Sequence, residues 1–124
     1  MTFDEAFGIT VVERREGEVV IALDIEPRHL NPSGIVHGGT LCSLADTAIG
    51  MAVVSRIDRE RQRAVTAQLS VSFLRAATAG RLVARGVVTL MGRRLAHGEA
   101  QITCGDTLVA KAHGVWYVQD KRPA

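Results

Sequence analysis

The sequence predicts an α+β domain in which an antiparallel sheet wraps around one long central helix. Three observations lead there. Several segments alternate apolar and polar residues with the period of two that marks a half-buried strand. A single segment, residues 40–56, is instead apolar on nearly every side, as a helix buried all round would be. Only that one helix is available to cover the apolar face of a long sheet, and a sheet curled around it is the economical solution.

The elements follow in order. Val19, Ile21, Leu23 and Ile25 share one face of a strand, and residues 10–14 pair with it through a turn at Glu16-Gly17. Residues 27–34 read as loop, with Asn31-Pro32-Ser33-Gly34 as turn formers. After the helix, residues 56–63 alternate in charge sign and read as a solvated loop. Four strands then form a meander. In the first, Val65, Ala67, Leu69, Val71 and Phe73 alternate with Thr66, Gln68, Ser70 and Ser72. Residues 82–91, 95–103 and 108–118 follow, joined by turns at Gly92-Arg93-Arg94 and Gly105-Asp106, and residues 121–124 form a loose tail.

Length and composition set the outer bounds. The 124 residues suit one domain, 1–124, with no repeat and no linker. With 47% hydrophobic residues but only 4% aromatic ones, the core must be aliphatic. A net charge of +2, dispersed along the chain, offers no one-signed basic stripe for nucleic acid. Cys42 and Cys104 read as reduced residues of a cytoplasmic protein rather than a disulfide. The N-terminus lacks the order of a signal peptide, and the longest apolar stretch falls short of the ~20 residues that span a bilayer. His97 and His113 have no ligand partners at metal spacing, so no metal is expected; no cofactor is expected either.

Asp46 is the most informative residue. A carboxylate in the middle of an apolar helix is costly without partners. It shares a stripe with Gly39, Ser43 and Gly50, all small, which leaves room for a ligand. His37-Gly38-Gly39 opens the helix, where free N–H groups could hold a developing oxyanion. Gly38 and Asp46 are eight residues apart, hence about 12 Å along one helix. One reacting carbon cannot reach both across that gap. Either the two features are unrelated, or the Asp of one chain works with the Gly of another.

The string Asn31-Pro32-Ser33-Gly34-Ile35-Val36-His37-Gly38-Gly39, with Asp46 seven residues on, resembles the hotdog-fold thioesterases. The likeness is to the group containing the phenylacetate-degradation thioesterases, and the order of elements extends it over nearly the whole chain. The resemblance implies hydrolysis of an acyl-CoA with Asp46 as nucleophile or general base. It further implies that the Gly38 N–H polarises the thioester carbonyl, that Asn31 orients the site, and that Thr66 positions water or the carboxylate. His37, an obvious candidate base, more often fixes the loop in this family. Gly39 and Ser43, on the stripe of small residues around Asp46, are candidates to lie beside the substrate, and Arg75, Arg93 and Arg94 are candidates for the CoA phosphates through their forked donors. Where the family has Arg-Pro-Ala after the strand, this chain has Arg75-Ala76-Ala77, which changes the rigidity of that turn.

Cys42 reads as a small core residue rather than a nucleophile. Phe73, Met51, Leu44 and Val71 are candidates to line an acyl pocket. The resemblance implies a homodimer with its two helices side by side, paired in many members into a dimer of dimers. Two other readings share the fold. A non-catalytic acyl-CoA-binding module would not need a carboxylate beside the thioester, and a hotdog hydratase would use a His-carboxylate motif absent here.

Overall fold

A computed structural model describes residues 1–122. The element order is α1 (Phe3–Phe7), β1 (Thr10–Arg15), β2 (Glu18–Asp24), a 3-10 turn (Pro27–His29), α2 (Gly38–Val54), β3 (Gln62–Phe73), β4 (Arg81–Met91), β5 (Leu95–Cys104) and β6 (Thr107–Asp120). The six strands form one antiparallel sheet ordered β1-β2-β4-β5-β6-β3, with α2 packed against its inner face. The α+β wrap expected from the sequence is the observed fold.

α2 carries the core. Leu41, Leu44, Ala45, Ala48, Ile49, Ala52 and Val53 recur at helical spacing and are buried against Ile21, Leu23, Leu82, Ala84 and Ile102. Full burial of Leu44 or Ile49 contributes about 1.5–3 kcal/mol each. The helix comes closest to the sheet over Gly86 and Gly98. A Cβ at Gly86 would lie 2.4 Å from the Ala48 carbonyl carbon and oxygen, and one at Gly98 would lie 2.3 Å from Ile49 Cγ2. Only glycine lets β4 and β5 pass under the helix at this distance.

Several expectations need correction. The last four strands do not form a simple meander: β4, β5 and β6 do, but β3 crosses to pair with β6, while β2 pairs with β4. β3 therefore lies at the edge of the sheet. The helix is not buried all round. Ser43, Asp46, Thr47, Gly50, Met51 and Val54 form a half-buried stripe, because strands β2 to β6 pack against only one side of α2. It is also not the only helix, since Thr2 caps a short α1 through a reciprocal bond with Glu5. The loop 27–34 contains a 3-10 turn, and β3 begins at Gln62, inside the segment read as loop. Of the expected tail, Pro123 and Ala124 lie outside the described residues.

The alternation in β3 also breaks. Thr66 pairs with Trp116 but Gln68 pairs with Val115, so Ala67 is an extra residue in a bulge. Directly opposed residues share a face. Ala64 and Thr66 therefore join Leu69, Val71 and Phe73 on the inner face, whereas Val65 turns outward and is 41% exposed. The bulge delivers Thr66 to the helix.

Candidate active site

The loop before α2 is built on two side chains. Asn31 Oδ1 accepts hydrogen bonds from the Ser33 N–H (2.9 Å) and the Ile35 N–H (3.2 Å), closing the Asn31–Gly34 turn. Gly34 itself has φ +78°, which explains a glycine there. His29, which the sequence reading passed over, is completely buried. Its Nδ1 accepts from the Glu26 N–H (2.9 Å), and Nε2 lies 2.8 Å from the Phe7 carbonyl, so that nitrogen carries the proton. Its own carbonyl accepts from the His37 N–H (2.8 Å) and the Thr40 hydroxyl (3.1 Å). His29 thus ties α1, the 3-10 turn and the start of α2 together. No local pattern marks it, because its partners come from three separate segments.

His37 is the N-cap of α2, and its exposed ring accepts from the Gly39 N–H through Nδ1 at 2.7 Å. The Thr40 and Leu41 N–H groups turn back to the His37 carbonyl. Gly38 is left as the first-turn residue whose N–H has no acceptor among the described residues. It opens on a cleft of about 340 Å³ shared with Phe73, Leu74 and Arg75.

Asp46 lies elsewhere. Its Oδ1 accepts a 2.6 Å hydrogen bond from the Thr66 hydroxyl, a distance typical of a hydroxyl on a carboxylate. Both line a separate open cleft of about 680 Å³ with Gly50, Met51, Val54, Ile57 and Trp116. Ser43 spends its hydroxyl within the helix, donating to the Gly39 carbonyl at 2.8 Å. Within one chain, then, Asp46 meets Thr66 but not Gly38 or Asn31.

The arginines separate as well. Arg75 sits at the Gly38 cleft, where its Nη1 donates to the Leu108 carbonyl at 3.4 Å. Arg93 and Arg94 lie in the β4–β5 turn, at the opposite end of the sheet. The three cannot hold one phosphate within a single chain. Of the residues expected at an acyl pocket, Met51 lines the Asp46 cleft and Phe73 the Gly38 cleft, Val71 lines neither, and Leu44 is fully buried and unavailable. Cys42 and Cys104 are free thiols, and burial pushes the Cys42 thiol above its ordinary pKa, which disfavours the thiolate a nucleophile needs. No group of three metal-ligating side chains occurs among the described residues, and no helix in them is long and apolar enough to cross a membrane.

Comparison with known proteins places the chain in a family. Residues 33–111 match the model of the thioesterase superfamily. Pseudomonas aeruginosa protein PA0474 is similar, with 37% identity over 103 residues covering 82% of this chain and 75% of that one. The acyl-coenzyme A thioesterase PaaI of Escherichia coli is 36% identical over 76 residues, which are 61% of this chain and 51% of that protein. A variant of the phenylacetic acid degradation protein PaaI from Thermus thermophilus superposes with a TM-score of 0.85 at 33% identity, covering 93% of this chain and 96% of that one. The chain belongs to the thioesterase superfamily and is a thioester hydrolase of the hotdog fold.

Proposed function

We propose that the protein hydrolyses a small aryl- or medium-chain acyl-CoA to the free acid and CoA, at a site shared between two chains. The observation that carries this reading is the separation of its two halves. Asp46, oriented by Thr66, lines one cleft, and the free Gly38 N–H opens on another. An antiparallel pairing of two copies brings the Asp46 of one chain to the Gly38 of the other, twice per dimer. It also brings Arg75 of one chain towards the Arg93-Arg94 turn of the other, where phosphates can be held jointly. A dimer of such dimers is compatible with this geometry, and the reading includes a cytoplasmic location, where acyl-CoA is found.

In the general-base form, Asp46 takes a proton from water and the resulting hydroxide adds to the thioester carbon. The oxyanion accepts from the Gly38 N–H, and collapse expels the CoA thiolate, which takes up the proton. In the nucleophilic form, the carboxylate itself adds, breaking of the C–S bond expels the CoA thiolate and leaves a mixed anhydride, and water opens that anhydride to free the acid, restore Asp46 and supply the thiolate's proton. Both forms need Asp46 ionised, with one oxygen free. Thr66 occupies Oδ1 only.

The test is thiol release across a panel of acyl-CoAs by wild type and Asp46→Asn. The amide keeps the shape and removes the chemistry, so turnover should fall at least about 100-fold with the fold intact. A variant retaining more than half the wild-type rate contradicts the assignment.

A further inference from the structure

The Asp46 cleft contains a buried polar group that thioester hydrolysis leaves unused. Trp116, the chain's single tryptophan, is 2% exposed and lines the cleft. It lies on the inner face of β6, opposite Thr66. Two glycines set the plane of the indole. A Cβ at Gly114 would lie 2.5 Å from Trp116 Cζ3, so the benzo edge fills the space above that glycine. A Cβ at Gly50 would lie 3.3 Å from Nε1, so the N–H edge meets the bare backbone of α2. The indole N–H has no acceptor among the described residues. Because no fully enclosed polar side-chain atom lacks a partner, the nitrogen itself must reach the cleft surface.

A donor held rigidly in the wall of a cleft is costly to leave unmet once a ligand displaces water. Gly50 is one helical turn beyond Asp46, about 6 Å along the axis. Met51, Val54 and Ile57 continue the cleft in the same direction. An acyl group whose thioester carbon lies against Asp46 would extend past the indole edge.

We propose that Trp116 is a specificity determinant. Its N–H donates to an oxygen on the acyl group about one helical turn from the thioester carbon, so an oxygenated acyl-CoA is preferred over its deoxy counterpart. The acceptor is a ketone, hydroxyl or phenol oxygen, which are alike to an indole donor. The inference rests on Asp46 marking the thioester position. Gly50 is part of the device, because a methyl there would cover the donor.

The experiment compares matched pairs: 5-oxohexanoyl-CoA with hexanoyl-CoA, and 3-hydroxybenzoyl-CoA with benzoyl-CoA. The aliphatic and aryl arms identify the source of the oxygen. Wild type should favour the oxygenated member of at least one pair by about tenfold in kcat/KM, the worth of one buried neutral hydrogen bond. Trp116→Phe should bring that ratio close to one, chiefly by slowing the oxygenated substrate. Gly50→Ala, which suits a helix and leaves the tryptophan in place, should do the same if Trp116→Phe fails to fold. Binding gives a readout free of turnover. In Asp46→Asn, the emission of the single tryptophan should respond to the oxygenated ligand and much less to its deoxy partner. Failure of every substrate to hydrolyse would refute the proposed function, while the emission response would still report on the indole. Equal rates within both pairs, equal effects of Trp116→Phe on both members, or equal emission responses would overturn the specificity role.

Discussion

Thr66→Val isolates one hydrogen bond in the candidate site. Valine keeps the branched shape and β propensity of threonine and deletes only the hydroxyl that donates to Asp46 Oδ1 at 2.6 Å. A hydrogen bond to a charged group is worth about 1.5–3 kcal/mol when buried. Here Thr66 is exposed along the open Asp46 cleft, so water replaces part of the loss. We take the lower end, about 1.4 kcal/mol, which is tenfold in rate if the bond orients the carboxylate in the transition state. The assay is steady-state thiol release, with Thr66→Ser as the control that restores the hydroxyl. The expected pattern is a kcat about tenfold lower for Thr66→Val and near wild type for Thr66→Ser, with folding stability lowered by no more than about 1.4 kcal/mol. A Thr66→Val enzyme with wild-type kcat, or a serine variant equally impaired, would refute the orienting role.

Gly86→Ala should destabilise the fold by about 1–3 kcal/mol or more, because the new Cβ would meet the Ala48 backbone at 2.4 Å and a helix backbone cannot yield as a side chain can. Urea denaturation measures it, and a variant as stable as wild type would show that α2 does not rest on β4 as described. The raised pKa of the Cys42 thiol leaves less thiolate at pH 8 in the folded chain than in the unfolded one, so in a Cys104→Ala background alkylation should be slower in buffer than in urea. Faster labelling of the native state would contradict the burial assigned to Cys42.

Much of the fold is legible because it rests on local periodicity. The alternation of residues 19–25 and the long apolar run of residues 40–56 identify a strand and a helix, and one long helix against many strands leaves few architectures. Pairing is another matter. Nothing local distinguishes a β3 that neighbours β4 from one that crosses to β6, since that choice is made by contacts distant in sequence. The Ala67 bulge is hidden for a similar reason. Val65 and Ala67 continue the apolar alternation, and only the register against Trp116 and Val115 shows the slip that turns Thr66 inward. At the site, Asp46 stands out as a carboxylate in an apolar helix, and Thr66 follows only from the family resemblance. His29 and Trp116 stay silent. One is a histidine in a polar loop and the other an ordinary aromatic in a strand, and their roles arise from partners on other segments.

The claim that one chain's Asp46 works with another chain's Gly38 loop is tested most directly by mixing two inactive variants. Asn31→Ala removes the acceptor for the Ser33 and Ile35 N–H groups, loosening the loop that presents Gly38, and should be nearly inactive alone. Asp46→Asn removes the carboxylate. Random pairing makes about half the dimers mixed, and each mixed dimer contains one site with both intact halves. Co-refolding equal amounts should therefore recover up to about a quarter of wild-type thiol release. Mixed dimers verified by mass analysis that stay as inactive as their parents would contradict the shared site.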